Sequence, residues 1–190
     1  MNRFSKGFTV IELIVVVTII SILVAIAYVA YNGAQNRAKD AQTISAAEQW
    51  MKALQIYKVR NGGFPANASC LGANYKFNSD NAGASGIGQC RQDNVSTGTL
   101  TNTTFYTAMG PYITGNPTPA MNSAVNSATN WYRGLYYIVA AGNIGRIEFV
   151  VTPSSGGCPS QVGGVSRLSS TAATNGNLLC TYALGSSVSY

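Results

Sequence analysis

The feature that most constrains this chain is an apolar run near its start. From Phe8 to Ala30 the single charged residue is Glu12. About 23 residues at a rise of 1.5 Å make a helix of roughly 35 Å, which is long enough to cross a bilayer. A charged side chain inside such a helix costs roughly 2.5 to 3.5 kcal/mol on insertion scales, so it is a functional candidate by default. The run therefore predicts a membrane helix in which Glu12 needs a partner for its charge.

Two ordinary interpretations account for the run but give Glu12 no role. Arg3 and Lys6 precede the run, and the positive-inside rule then leaves the N-terminus in the cytoplasm and sends the rest of the chain across the membrane. A plain membrane anchor fits this pattern. A cleaved secretory signal peptide also fits, because the AIA sequence at 25–27 is an A-x-A cleavage pattern behind an apolar stretch.

The stretch KGFTVIELIVVV favours a third interpretation, which includes the glutamate. It resembles the leader and first mature residues of type IV prepilins and related type II secretion pseudopilins, which carry a class III signal sequence. A short basic leader ends at Gly7, Phe8 follows, and Glu12 is the fifth residue from Phe8. The resemblance implies that a prepilin peptidase cuts between Gly7 and Phe8 on the cytoplasmic side and methylates the new amine of Phe8. It also implies that the apolar run stays in the mature protein.

The spacing of Phe8 and Glu12 can also be argued from chemistry. Cleavage creates an ammonium group on Phe8, and residues four apart lie on one face of a helix. The two charges can neutralise each other within one chain. Alternatively, Glu12 can pair with Phe8 of a neighbouring subunit inside an apolar bundle, where an unpaired charge is expensive. Phe8 and Glu12 are therefore the candidate assembly residues, and both pairings stay open.

Two positions in the run depart from the pilin pattern. Many pilins carry a glycine midway through the apolar stretch and a proline near its end, whereas this chain has Ser21 and Val29. Proline removes a helical hydrogen bond and glycine lowers helix propensity. Their absence predicts a straighter, less easily melted helix, with Asn32 and Gly33 as the next candidate hinge.

Beyond the membrane run the chain turns polar but keeps a helical period. Spacings of three and four predict one apolar stripe, made of Ala34, Ala38, Ala41, Ile44, Ala47, Met51 and Leu54. The charged residues are interpreted as a solvated or subunit-facing surface on the other side: Arg37, Lys39, Asp40, Glu48, Lys52 and Lys58. The sequence NGGFP at 61–65 should end the helix near Arg60. The stretch AEQWMKALQIYKVRNGGFP is similar to the helix end of many pilins and pseudopilins, so the resemblance reaches about residue 65.

The rest of the chain predicts a small antiparallel sheet behind a polar segment. Residues 66–130 are rich in Asn, Gly, Ser and Thr, and the resemblance implies a variable surface excursion there. Apolar runs at 134–142 and 145–153 predict a hairpin, and the run LLCTYAL at 178–184 can add a strand. A sheet of three or four strands would bury one face against the helix. The expected fold class is α+β and pilin-like, with a long N-terminal helix, half membrane-spanning and half amphipathic, packed on a small antiparallel sheet.

The four cysteines predict two structural disulfides. Cys70, Cys90, Cys158 and Cys180 lack the CxxC spacing of zinc and redox sites. We favour Cys70 with Cys90 and Cys158 with Cys180, because each pair closes a short flexible loop and is worth about 3 kcal/mol in the chain-entropy model. The other pairings and four free buried thiols are the alternatives. Disulfides imply an oxidising compartment, so the segment after Tyr31 should lie outside the cytoplasm.

The composition argues against catalysis. The chain has no histidine, which excludes a Ser-His-Asp triad. No pair suggests acid and base roles among the carboxylates outside the membrane run, which are Asp40, Glu48, Asp80, Asp93 and Glu148. We expect no enzyme activity, no cofactor and no metal; the oxygen-rich NSDN at 78–81 has too few carboxylates to favour calcium. The sequons at Asn67, Asn94 and Asn102 are interpreted as chance matches in a chain rich in Asn and Thr.

Nucleic-acid binding is possible but unsupported by the sequence. Removal of Arg3 and Lys6 leaves 10 basic and 6 acidic side chains, and the basic residues are scattered. The 11 tyrosines are interpreted mainly as core and interface residues. In the pair Tyr136 and Tyr137, one ring must face inward.

These features predict a structural subunit of a type IV pilus-like filament that supports adhesion, twitching motility or DNA uptake. The expected segments are the leader at 1–7, the filament-core helix at 8–31, its amphipathic continuation at 32–60, a surface loop region at 61–133 and a sheet region at 134–190. The resemblance implies four partners: other pilin subunits in a homopolymer or mixed filament, prepilin peptidase, an inner-membrane assembly platform, and membrane lipid before assembly. The precursor would lie in the cytoplasmic membrane, N-terminus in and head out, before joining an extracellular filament. The alternatives are a secretion pseudopilin and an anchored surface binding protein that never polymerises.

Overall fold

The protein is described here from a computed structural model. The residues that it describes are 9–73, 90–93, 98–99, 101–120, 125–127, 130–153, 156–173 and 176–185. Contacts divide the chain into two compact units, Met1–Gln35 and Asn36–Tyr190. We call the second unit the head. The long helix α1, Val10–Asn61, contributes residues to both units.

In the first unit, α1 is helical throughout its apolar run. It is long and apolar enough to cross a membrane, and its most apolar 18-residue window has a mean hydropathy of 3.0 and no buried residues. Two hydroxyl side chains in the run bond back to carbonyls of their own helix: Thr18 Oγ1 donates to Val15 O at 2.8 Å and Ser21 Oγ donates to Val17 O at 2.7 Å. These bonds satisfy polar groups that lipid could not.

The head is a helix layer on a sheet of six antiparallel strands among the described residues. In chain order these strands are β1 Ser69–Cys70, β6 Leu135–Ala140, β7 Ile144–Val151, β8 Gln161–Val162, β9 Val165–Ala172 and β10 Leu178–Leu184, and their order across the sheet is β1-β6-β7-β10-β9-β8. The C-terminal part of α1 packs on one face. This arrangement confirms the predicted α+β, pilin-like fold class.

A second, four-stranded sheet lies in the region expected to be a surface loop. It has the order β3-β2-β5-β4, from β2 Arg91–Asp93, β3 Gly98–Thr99, β4 Val125–Ser127 and β5 Asn130–Tyr132. The short helix α2, Thr103–Met109, precedes β4 and is capped by Asn102, whose side chain accepts from Phe105 N at 3.0 Å. The segment is therefore partly regular structure, which its weak apolar pattern concealed.

The main core lies between α1, α2 and one face of the six-stranded sheet. Its largest fully buried side chains include Trp50 on α1, Phe105 on α2, and Tyr137, Phe149 and Tyr182 on the strands. Phe149 and Tyr182 stack with their ring centroids 5.3 Å apart. Aromatic side chains thus supply much of the apolar area that holds the helix on the sheet.

Several expectations about elements can be compared with these bounds. The hairpin and the third strand are present as β6, β7 and β10, and the helix ends at Asn61, next to the expected Arg60. The sheet of three or four strands is wrong, because β1, β8 and β9 enlarge it to six. β9 was missed because its side chains from Ser166 to Ala172 are polar or small and all exposed, so they show no alternation.

The apolar stripe of α1 is right only in its second half. Ile44, Ala47, Met51 and Leu54 are buried or half-buried, whereas Ala34, Ala38 and Ala41 are exposed. Burial begins instead at Asp40 and continues at Thr43. The assignment of Asp40 to the solvated charged side is therefore wrong, because one buried face can begin with a carboxylate when a strand supplies its hydrogen bonds.

Candidate functional sites

The candidate assembly residue Glu12 lies at the N-terminal end of α1 and bonds to the residue that caps it. Thr9 N and Thr9 Oγ1 each donate to Glu12 Oε2 at 2.9 Å, and Glu12 N donates to Thr9 Oγ1 at 3.3 Å. The Thr9 carbonyl accepts the first helical bond, from Leu13 N at 3.3 Å. This is a capping box, and the pattern T-x-x-E at 9–12 is its sequence signal, which the sequence-based interpretation overlooked.

The other processing and assembly residues are not placed by the structure. Gly7 and Phe8 lie outside the described residues, so the partner proposed for Glu12 is not tested. The structure does show that the carboxylate has donors on its own helix. Any pairing with an amine therefore adds to, or competes with, the capping box.

The apolar surface of the first unit has no cover within the described residues. The large apolar side chains between Val10 and Tyr31 are 50% to 75% exposed. An apolar surface of this extent marks contact with a membrane or with other chains. The second half of α1 differs, since its apolar side chains enter the core of the head.

The four cysteines form two disulfides, Cys70–Cys90 and Cys158–Cys180. This is the pairing that the sequence favours. The first bond lies in a small apolar cluster on the sheet face away from α1, and the second borders the main core. Each therefore ties an irregular segment to a strand of the main sheet, β1 in one case and β10 in the other.

Asp40 connects α1 to the end of β7. Its two carboxylate oxygens accept from Thr152 N at 3.1 and 3.0 Å, and Oδ2 also accepts from Thr152 Oγ1 at 2.5 Å. Asp40 is 1% exposed and is the first buried residue of α1. The helix thus enters the head at a charge-assisted clamp.

Glu148 lies on the sheet face away from α1, among arginines and tyrosines. Burial raises the pKa of Glu148, while the positive charges of Arg91 and Arg146 and a hydrogen bond with Tyr132 lower it by less. Arg91 stacks on the rings of Tyr132 and Tyr136 at 5.6 and 5.2 Å and donates to Tyr136 Oη at 3.1 Å. The arrangement is a partly buried ionic cluster.

The tyrosines of the core act as structural residues. Tyr136 and Tyr137 are both buried, on opposite faces of β6. Burial raises the pKa of Tyr137 and raises that of Tyr182 to about 12. Their hydroxyls donate to carbonyls, Tyr137 to Pro65 O at 2.8 Å and Tyr182 to Pro159 O at 2.6 Å.

Other candidate ligand features can be placed in part. Among the described residues, no group of three or more His, Cys, Asp or Glu side chains could hold a metal ion. The NSDN sequence at 78–81 and the sequon at Asn94 lie outside the described residues. Asn67 is exposed but its sequon partner Ser69 is fully buried, and Asn102 is engaged as the cap of α2.

Comparison with known proteins explains the N-terminal pattern. Residues 2–28 match the family described as the prokaryotic N-terminal methylation motif. A fimbrial protein of Neisseria meningitidis serogroup A is 39% identical over 72 residues, which are 38% of this chain and 42% of that protein. The type IV major pilin protein PilE1 of Neisseria gonorrhoeae is also 39% identical over 72 residues, 38% of this chain and 44% of the relative.

A more distant relative is the type IV wide pilus major component PilA4 of Thermus thermophilus. It is 33% identical over 69 residues, 36% of this chain and 53% of that protein. The chain therefore matches less than half the length of the first curated relatives. No solved structure gives a significant match.

The motif, the long apolar helix and the helix-on-sheet head define the class of protein as pilin-like. The curated relatives confirm the resemblance: the matched part of the chain is that of a type IV pilin, with the methylation motif at its N-terminus. Pilins are structural proteins, and these matches support a structural subunit of a pilus. A membrane-anchored precursor followed by a filament fits the same findings.

Proposed function

We propose that this protein is a subunit of an extracellular type IV pilus, assembled through its N-terminal helix after removal of residues 1–7. The observation that carries the proposal is the exposed apolar surface from Val10 to Tyr31, joined to the methylation motif. A membrane can cover this surface in the precursor, and the helices of neighbouring subunits can cover it in the filament. The precursor would have its N-terminus in the cytoplasm and its head outside.

Prepilin peptidase and an inner-membrane assembly platform are the proposed processing and assembly partners. The filament would support surface attachment, retraction-driven motility or DNA uptake, since these roles follow from the class rather than from any residue of the head. The Neisseria gonorrhoeae and Thermus thermophilus relatives carry names that call them major pilus components, which favours a displayed pilus over a secretion pseudopilin.

Mass spectrometry of the purified protein tests the processing step. We expect an N-terminus at Phe8 carrying one methyl group. A start at Tyr28 would instead indicate an ordinary signal peptide cut after the AIA sequence at 25–27. An intact Met1 would indicate an unprocessed anchor.

Electron microscopy of filaments sheared from cells tests the assembly step. We expect this chain to be the dominant subunit of long surface filaments that disappear when its gene is deleted. Attachment, surface motility and DNA-uptake assays on the same deletion strain then assign the role. A correctly methylated chain that is never found in a filament would support the anchored, non-polymerising alternative.

A further inference from the structure

The six-stranded sheet has a second covered face, on the side away from α1. Side chains of β6, β7 and β10 form an apolar cluster there with the first disulfide and with β5: Tyr136, Val150, Leu179, Cys70, Cys90 and Tyr132. Glu148 shares this face, because it is the register partner of Tyr136 and lies two residues from Val150. β2 and β5 pair with each other and bring Arg91 and Tyr132 to Glu148. We call these two strands the cover.

Each element around Glu148 presents a definable group to it. The cover contributes the Arg91 guanidinium from β2 and the Tyr132 hydroxyl from β5, while Arg146 is two residues away on β7 itself. Its register partners are Tyr136 on β6 and the uncharged Thr181 on β10. Because Arg91 is stacked on two tyrosine rings, its charge is fixed above the carboxylate.

The balance between burial and these charges decides how protons act on the cover. Burial raises the pKa of Glu148 more than the arginines and Tyr132 lower it. The covered form therefore binds a proton more tightly than an open form in which Glu148 meets water. By linkage, the cover is at full stability below the ordinary glutamate pKa, and it loses stability as the pH rises through the raised pKa of the covered form.

We propose that Glu148 makes the β2 and β5 layer a proton-linked cover of the sheet, which closes more tightly in mild acid and loosens as the pH rises. Closing takes up a proton because an uncharged carboxyl group is easier to bury than a carboxylate. Arg91 and Arg146 keep the layer in place when the carboxylate is charged. The surface that the head displays would thereby respond to the pH of its surroundings.

The two disulfides provide a ratio that measures this opening. Cys90 directly precedes β2, and both Cys70 and Cys90 are fully buried, so their bond reports on the cover. The Cys158–Cys180 bond borders the main core on the other face and is the internal reference. The full-length protein in detergent micelles is treated with a phosphine reductant between about pH 4 and pH 8, and each disulfide is followed by alkylation and mass spectrometry.

We expect the reduction rate of Cys70–Cys90, divided by that of Cys158–Cys180, to rise with pH. The rise is at most about tenfold for each unit by which covering raises the pKa of Glu148. The Glu148→Gln variant should keep the ratio low at every pH, because its side chain cannot ionise. The matched Glu48→Gln variant, which removes a half-exposed carboxylate on α1, should keep the wild-type rise.

A second variant protects the test against misfolding of Glu148→Gln. Arg91→Gln removes a charge that offsets the ionised carboxylate, so the ratio should rise more steeply with pH than in the wild type. A flat wild-type ratio, a wild-type rise retained in Glu148→Gln, or an unchanged slope in Arg91→Gln would each overturn the proposal.

Discussion

At the scale of single residues, the same side-chain type has three different roles in this protein. Glu12 closes a capping box at the start of α1, Asp40 clamps the helix to β7, and Glu148 is covered beside two arginines. In each case the donors around the carboxylate, and not its position in a charge pattern, decide what it does. Two predictions follow directly from these surroundings.

The first prediction separates the charge of Glu12 from its hydrogen bonds. Glu12→Gln keeps an acceptor for Thr9 but has no charge, whereas Glu12→Ala has neither. If pairing with a Phe8 amine is required for assembly, both variants should be excluded from filaments in a strain that also makes wild-type subunits. The measurement is the fraction of variant subunit in sheared filaments, by mass spectrometry. Wild-type incorporation of Glu12→Gln would show that the capping box is sufficient and that the charge pair is not needed.

The second prediction concerns the Asp40 clamp. Asp40→Ala removes the acceptor of three hydrogen bonds from Thr152, and an interior donor that loses its partner costs about 1 to 3 kcal/mol. We expect the free energy of unfolding of the full-length protein, from denaturant titration, to fall by about that amount. Glu48→Ala is the control, because its ion pair with Lys52 at 2.7 Å is largely exposed and should change stability by less than about 1 kcal/mol. Equal losses in the two variants would contradict the clamp.

At the scale of elements, α1 is helical from Val10 to Asn61, through Ser21, Val29 and Gly33. The sequence predicts continuity at Ser21 and Val29 because the glycine and proline that interrupt many pilin helices are absent. Asn32 and Gly33, the next candidate hinge, are helical as well, since one glycine lowers helix propensity by only about 1 kcal/mol. Continuity therefore depends on the lack of a residue that cannot donate the helical hydrogen bond.

Introducing that residue gives the third prediction. Val29→Pro deletes a backbone donor and should cost about 3 kcal/mol locally, whereas Val29→Ala should leave the helix intact. Hydrogen exchange of the full-length protein in lipid nanodiscs is the measurement. We expect amides near Ala25 and Gly33 to lose protection in Val29→Pro alone. Unchanged protection in the proline variant would show that neighbouring contacts, and not local sequence, keep this segment helical.

At the scale of the whole molecule, the head depends on cross-links as well as on its core. The two disulfides join cysteines 20 and 22 residues apart. Loops of this length give nearly equal stabilisation in the chain-entropy model, about 3 kcal/mol each. The tertiary surroundings differ, because Cys180 is part of the main core and Cys70 of the smaller cluster.

The fourth prediction uses this near equality. Replacing either cysteine pair by alanine should lower the free energy of unfolding of the full-length protein by about 2 to 5 kcal/mol. Tryptophan fluorescence during denaturant titration measures the loss, since Trp50 is fully buried in the main core. Removing Cys158 and Cys180 should shift the Trp50 transition more, because that bond borders the same core. A shift that is larger for the Cys70 and Cys90 pair would show that the two clusters unfold as one unit.

Local patterns predicted those parts of the protein that local forces determine. The apolar run, the helix end before NGGFP, the β6 and β7 hairpin and β10 all follow from periodicity and turn residues within a few positions of each other. The methylation motif at 2–28 is likewise a contiguous signal. The capping box of Thr9 and Glu12 was equally local and could have been predicted from its T-x-x-E spacing.

Only the tertiary structure decided the features that join distant segments. Asp40 is buried because Thr152, 112 residues away, supplies its donors, and no pattern on α1 contains that fact. β9 is a strand because β10 offers it a hydrogen-bonding edge, although its own side chains are exposed. The sequence by itself thus determined the helix, the hairpin and the assembly signal, since these depend on neighbours in the chain. The buried carboxylates, the six-stranded sheet and the covered face required the fold, because burial is set by whatever packs against a residue from elsewhere.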